Sequence, residues 1–299
     1  MSNSRFGLRT RTGEISNIIV GRPATGTLLD DFPNASAAYS LRRLRTVYFG
    51  SAIRVRRSND NAEQNIGFTS GGDLDTASLL SFVGANSGFI TTWYDQSGNG
   101  RNVTQTTSAN QPRIVNSGVV ETENSKPSIR FDGNNDFLNG GDILDVGSNS
   151  YCSFSVVKSN SVNGSIYAKS FLGGPPNRYS LLFDSSSTFS LVFSNSSLNQ
   201  NIVSFPSYIT QKIFSIEYIA NGLHKLFQNN TQIGSSITAT TIGNSTYDFE
   251  IGGYNDASGN ASNNIPFNGF IQEIVIYLSD QSANRTSINI NINSYYGIY

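Results

Sequence analysis

The run Asp95-Gln96-Ser97-Gly98-Asn99-Gly100 gathers oxygen-bearing side chains in one turn. Such a run can present ligands to Ca²⁺, and it can equally close an Asx turn on its own backbone. EF-hand spacing is lacking, so the turn is the preferred reading; Asp95 is kept as a calcium candidate, and no other cofactor or metal is expected. Gly71-Gly72-Asp73-Leu74-Asp75 reads in the same way, as a turn and a helix cap. Trp93 and Tyr94 offer rings that could stack on a sugar, although an apolar strand residue such as Trp93 belongs more simply in a core. Arg42, Arg43, Arg45, Arg54, Arg56 and Arg57 form a basic cluster suited to phosphate or acidic glycans; a solvated face with ion pairs is the preferred reading. The single histidine, His224, lies in a strand pattern and argues against a His-based triad. The single cysteine, Cys152, excludes an intrachain disulfide and reads as a small core residue.

These residues need elements to position them. Asn34 or Ser36 can cap a helix over 37–44, and Asp73 or Asp75 a second one ending at Val83 before Gly84. Ile53 and Val55 alternate with Arg54 and Arg56, as in a half-exposed strand. Further strands are expected at 89–94, 128–131, 153–158, 165–169, 179–183, 189–193, 212–219, 224–228, 248–251 and 270–277. Asn221-Gly222 and Asn229-Asn230 suit tight hairpin turns. The end of the chain reads either as a strand, from the alternation Ile288-Asn289-Ile290-Asn291-Ile292, or as a helix. The helix, capped by Ser282 with Ile288, Ile292 and Tyr295 on one face, is preferred. Many short strands without an internal repeat specify a sandwich or barrel rather than a propeller or solenoid.

The composition agrees. Only 14% of the 299 residues are charged, while 19 Phe and 14 Tyr supply ample surface for a core, which excludes disorder. A net charge of −1 recruits neither nucleic acid nor an anionic membrane. No stretch approaches a membrane span, and Met-Ser-Asn-Ser-Arg-Phe lacks the apolar run of a secretory signal. The expected organisation is an extended arm over 1–33 followed by a sandwich over 34–299. Arg5, Phe6, Arg9 and Arg11 are the candidate attachment residues of that arm.

Three runs carry a family resemblance: Ala38-Tyr39-Ser40-Leu41-Arg42-Arg43-Leu44, Ala52 through Asp60, and Thr92-Trp93-Tyr94-Asp95-Gln96-Ser97-Gly98-Asn99-Gly100. Together they resemble the catalytic domain of the fungal α-L-arabinofuranosidase B family. The run from Phe267 to Tyr277 looks like the closing strand of concanavalin A-like and laminin G-like sandwiches. Both resemblances imply an all-β, two-sheet jelly-roll sandwich with short helices near 37–44, 75–83 and the C-terminus. A retaining glycosidase uses two carboxyl groups about 5–5.5 Å apart. The resemblance places the family's acid/base position at Tyr254 and its nucleophile at Ser185, neither a carboxylic acid. It also implies an adjacent Cys-Cys pair that this chain lacks. Asp184 and Asp256, or Glu250, are the nearby carboxylates that could stand in. Trp93, Tyr94, Asp95, Asn99, Tyr254 and Asn255 are the candidate sugar-binding residues.

Versions of these runs without catalytic carboxylates resemble virion proteins of tailed bacteriophages. The expectation is therefore a non-catalytic virion protein, a capsid decoration, head fibre or tail-associated module, made in the host cytoplasm. It would be a homo-oligomer, attached to other virion proteins through its arm and able to bind a host glycan. The alternatives are a free carbohydrate-binding module, betrayed by an aromatic platform on one sheet face, or an active arabinofuranosidase.

Overall fold

Residues that alternate between apolar and polar build most of the molecule, because each buries one face of a strand. In the computed structural model, which describes residues 26–161, 164–170, 178–185, 188–194, 198–204, 210–238, 242–254 and 265–299, the chain opens with a one-turn helix α1 (Leu28–Asp31). It continues through β1 (Ala37–Ser40), β2 (Ile53–Arg57), β3 (Glu63–Ile66), α2 (Thr76–Val83) and β4 (Gly88–Trp93). Short strands follow: β5 (Val103–Thr104), β6 (Arg113–Asn116), β7 (Val119–Val120), β8 (Thr122–Glu123), β9 (Lys126–Pro127), β10 (Ile129–Asp132) and β11 (Leu138–Asn139). Longer ones come next: β12 (Tyr151–Ser159), β13 (Gly164–Lys169), β14 (Arg178–Ser185), β15 (Thr188–Ser194), β16 (Leu198–Ser204) and β17 (Lys212–Tyr218). The chain closes with β18 (Leu223–Gln228), β19 (Thr231–Thr238), β20 (Phe249–Ile251), β21 (Asn268–Tyr277) and α3 (Arg285–Tyr296).

All pairings are antiparallel. One layer runs β3-β2-β4-β6-β10-β21-β12-β17-β18-β19, with β1 beside β10 along the same edge of β21. The other runs β5-β11-β20-β13-β14-β15-β16, and β5 joins it to the end of β4. Between the layers, Tyr39, Val55, Ile90, Trp93, Phe131 and Ile271 meet Tyr167, Leu181, Phe249 and Ile251 in the main core. Each such fully buried side chain is worth about 1.5–3 kcal/mol. A second cluster lies outside the first layer, where Phe154, Val156, Val275 and Tyr277 are covered by Leu28 and Leu29 of α1 and Ile288, Ile292 and Tyr296 of α3. Strand makes up 42% and helix 12%, so the all-β jelly-roll class holds. No helix among the described residues is long and apolar enough to cross a membrane.

Two expectations change. Residues 37–40 form a strand, not a helix, and all four are buried. Ala37 and Tyr39 face the main core while Ala38 faces the second cluster, so both faces are covered and the alternation that identifies a strand disappears. At the C-terminus the preferred helix is present, but Asn284 rather than Ser282 occupies its cap position, and Tyr296 rather than Tyr295 is buried beside Ile288 and Ile292. The second helix is as expected: the Asp75 side chain accepts from Ser78 N at 3.0 Å, and Gly84 ends it at φ 60°. Residues 26–32, placed in the arm by the sequence, lie against the sandwich, with Leu28 and Leu29 buried. Arg5, Phe6, Arg9 and Arg11 fall outside the described residues.

Candidate functional site

The Tyr94–Arg101 loop is a backbone clamp. Asp95 is 5% exposed; its Oδ1 accepts from Ala38 N (2.9 Å) and Ser97 N (2.8 Å), and its Oδ2 from Ser97 Oγ (2.7 Å) and Arg101 N (3.0 Å). With both oxygens saturated by hydrogen-bond donors, Asp95 is not available to Ca²⁺. Gln96 Nε2 donates to the carbonyls of Ser40 and Arg42, and its Oε1 accepts from Leu44 N. Asn99 Nδ2 donates to the carbonyls of Ala35 and Ser36. Trp93 is fully buried with its ring centroid 5.9 Å from that of Tyr39, so it presents no face to a sugar. Tyr94 is half-buried and donates to Asn65 Oδ1. These side chains hold β1 against its neighbours.

The basic cluster also resolves into separate contacts. Arg42 is buried against Glu273, Arg54 pairs with Glu63, and Arg57 pairs with Asp60. Arg43 and Arg45 donate to the carbonyls of Ser70 and Ser97. Arg56 is different: its partners, Gln111, Asn61 and the Ser108 carbonyl, are all neutral.

The segments that the resemblance selects for chemistry meet around β13. In the outward-facing row of the second layer, Asn139 pairs with Glu250, Glu250 with Ala168, and Ala168 with Ser180. Glu250 is fully buried there, while its neighbours Phe249 and Ile251 point into the main core. Beyond β20, Gly252 adopts φ 83° and its N–H reaches the Ile166 carbonyl at 3.0 Å. A Cβ at Gly252 would stand 2.3 Å from the Phe131 ring, so glycine is required at this turn. The turn brings Tyr254 onto Ala168, with its hydroxyl 2.8 Å from Ser170 Oγ. On the other side of β13, Gly164 pairs with Phe183, and the register shifts between Phe183 and Ser185, leaving Asp184 unpaired in a bulge. β14 and β20 thus flank β13 on its two edges, with Asp184 beside the Gly164 end and Tyr254 over Ala168 and Ser170. Lys169, nearly inaccessible, is held by Asp142 and the Tyr247 carbonyl and lies 3.5 Å from Asp145. Asn255 and Asp256 lie outside the described residues, and among the described residues no cluster of His, Cys, Asp and Glu could hold a metal ion.

The sequence reading passed over a carboxylate pair in the turn Phe131-Asp132-Gly133-Asn134-Asn135-Asp136. Asp132 Oδ1 accepts from the N–H groups of Asn134 and Asn135, while Asp136 Oδ2 accepts from Asp132 N. Burial, reinforced by the Asp132 charge, pushes Asp136 up to about 7 from an ordinary 3.8, against the pull of Arg130 and Arg113. A carboxyl raised on folding stabilises the protein below its unfolded value, and that contribution is lost as pH rises through the folded value. Stability should therefore fall by on the order of 2–4 kcal/mol from this group between pH about 4 and about 7. Asp136→Asn should flatten that slope in urea titrations at several pH values; an unchanged slope would assign the dependence elsewhere.

Comparison with known proteins follows the same division between clamp and site. The family model for the catalytic domain of α-L-arabinofuranosidase B matches residues 30–137, which include the clamp and end before β12. No curated protein sequence matches the chain. Among solved structures, the fold is similar to an arabinofuranosidase complexed with arabinofuranosyl-α-1,2-xylobiose, at 16% identity and a TM-score of 0.60. It is also similar to a GH54 α-L-arabinofuranosidase soaked with a cyclic sulfate inhibitor, at 16% identity and a TM-score of 0.59. Both alignments cover 89% of this chain, which spans 64% of the length of each enzyme. At this identity the likeness establishes the fold. These matches overturn the expectation of a non-catalytic bacteriophage virion protein: model and neighbours alike are of the arabinofuranosidase type, and they carry no sign of a phage particle.

Proposed function

We propose that the chain is an arabinofuranosidase-type glycoside hydrolase domain whose site lies on the outward face of β13, between β14 and β20. The observation that carries this reading is that β14, which bears Asp184, and β20, which bears Glu250 and leads into Tyr254, flank the same strand β13 on its two edges. Glycosidase carboxyl pairs work at separations of about 5–10 Å, which sets the distance that the acting pair must reach. Tyr254 and Ser185 occupy the positions that the resemblance matches to the family's carboxylates, so the chemistry falls to the carboxylates beside them. Asp184 serves as nucleophile or base, and Asp256 or Glu250 as proton donor to the leaving oxygen.

Release of 4-nitrophenol from 4-nitrophenyl α-L-arabinofuranoside tests this directly. Turnover is expected, with Asp184→Asn slower by about a hundredfold or more and a comparable loss for either Asp256→Asn or Glu250→Gln. Saturable binding of the glycoside without turnover would replace the hydrolase with a carbohydrate-binding domain on the same face.

A further inference from the structure

We propose a second saccharide site on the opposite side of the sandwich: a stripe of cations and aromatic rings that binds a polyuronate chain. The stripe is a cross-strand row. Arg56 pairs with Phe89, Phe89 with Arg113, Arg113 with Arg130, Arg130 with Phe270, and Phe270 with Lys158. The row crosses β2, β4, β6, β10, β21 and β12, a span of about 24 Å at 4.8 Å per strand. All six side chains are half-exposed, whereas Val55, Ile90, Ile114, Ile129, Ile271 and Val157 beside them face the main core. The row occupies the part of this outer face that α1 and α3 leave open. It needs nothing from the arabinofuranoside site, which lies on the other layer.

Three features define the ligand. The first is positive charge without a direct ion-pair partner at two of the four cations. Arg113 and Lys158 are paired with Glu121 and Glu123. Arg56 and Arg130 form no ion pair among the described residues; Arg130 donates only to Asn268 Oδ1 and the Gly269 carbonyl. Like charges directly opposite in a ladder destabilise it, yet Arg113 and Arg130 face each other here. An anionic group between them would relieve that repulsion.

The second is a cleft of about 480 Å³ against Arg113 and Arg130, whose walls include Ser108, Gln111, Asp132 and Asp136. Among the described residues, one oxygen of each aspartate makes no hydrogen bond. Carboxylate oxygens accept from hydroxyl groups, which a sugar has and a phosphodiester backbone largely lacks. The third is the ring content. The Arg56 and Arg130 guanidinium groups lie 4.9 and 5.3 Å from the Phe89 and Phe270 centroids, and Lys158 Nζ lies 5.4 Å from the latter. Stacking fixes the cations in place before a ligand arrives. A uronate polymer supplies what all three features require, a carboxylate and hydroxyl donors on each ring. Nucleic acid is disfavoured by the two aspartates and by a net charge of −1.

Gel retardation of the purified chain in polygalacturonate, with uncharged arabinan and dextran sulfate in parallel, tests the proposal. Polygalacturonate should retard the protein in a salt-sensitive manner, and arabinan and dextran sulfate much less. Arg56→Gln combined with Arg130→Gln should weaken retardation at least tenfold with the melting temperature preserved; Lys225→Gln, on β18, should leave it unchanged. Lys158→Gln alone, at the far end of the row, should weaken it by a smaller factor and covers the case in which the double variant does not fold. Absence of retardation by polygalacturonate, equal retardation by dextran sulfate, or wild-type retardation of the folded variants would each overturn the site.

Discussion

Asp95→Ala should lower the stability of the domain by about 3–5 kcal/mol, read as a large drop in the urea midpoint. The carboxylate accepts from two backbone amides far apart in sequence, Ala38 and Arg101, and twice from Ser97. Hydrogen bonds to a charged group contribute about 1.5–3 kcal/mol each, and an amide left buried without a partner costs about 1–3 kcal/mol. Ala38 is fully buried, so water cannot replace the lost acceptor. Asp95→Asn keeps one acceptor oxygen and should cost less. A chelator should leave the midpoint unmoved, which distinguishes the clamp from a calcium site. A wild-type midpoint for Asp95→Ala would show that the loop does not hold β1.

The second large effect belongs to Glu273. Its Oε2 accepts from Arg42 Nε at 2.8 Å and Ser40 Oγ at 2.7 Å, and its Oε1 from Arg42 Nη2 at 3.0 Å. Burial acts to lower the Arg42 pKa, but the Glu273 charge more than offsets it and the guanidinium is held above its ordinary value. Removing one partner strands the other charge in the interior, so Glu273→Ala should cost about 3–5 kcal/mol. Arg42→Met combined with Glu273→Leu removes both charges and should be destabilised by much less than the sum of the single changes. Simple additivity in that double-mutant cycle would mean that the two side chains act independently.

Much of the fold could be read from the sequence because most strands bury one face. Ile53 and Val55 alternate with Arg54 and Arg56, and β2 is where that pattern puts it. The reading failed at β1, where both faces are covered, and at β16 and β19, whose polar residues Asn199-Gln200-Asn201 and Gly234-Ser235-Ser236 carry no apolar alternation. The site was less legible, for a related reason. The residues with the strongest family resemblance, Asp95 through Asn99, fasten backbone, so they announce the fold and are silent about chemistry. Reading function from the altered residues Ser185 and Tyr254 led to a virion protein, which the comparisons overturn. The stripe from Arg56 to Lys158 was invisible because register, not spacing along the chain, assembles it.

The clamp also bears on the order in which the sandwich assembles. The contact between Ala38 and Asp95 closes a loop of 57 residues, whereas the bond from Ser40 to Glu273, which marks the docking of β1 on β21, spans 233. Closing the shorter loop costs about 1 kcal/mol less in chain entropy. On a nascent chain it can also form before β21 has been synthesised. The Tyr94–Arg101 loop thus gives β1 a lasting partner on one edge before β21 can reach the other, sparing it a long interval as an unpaired, aggregation-prone strand.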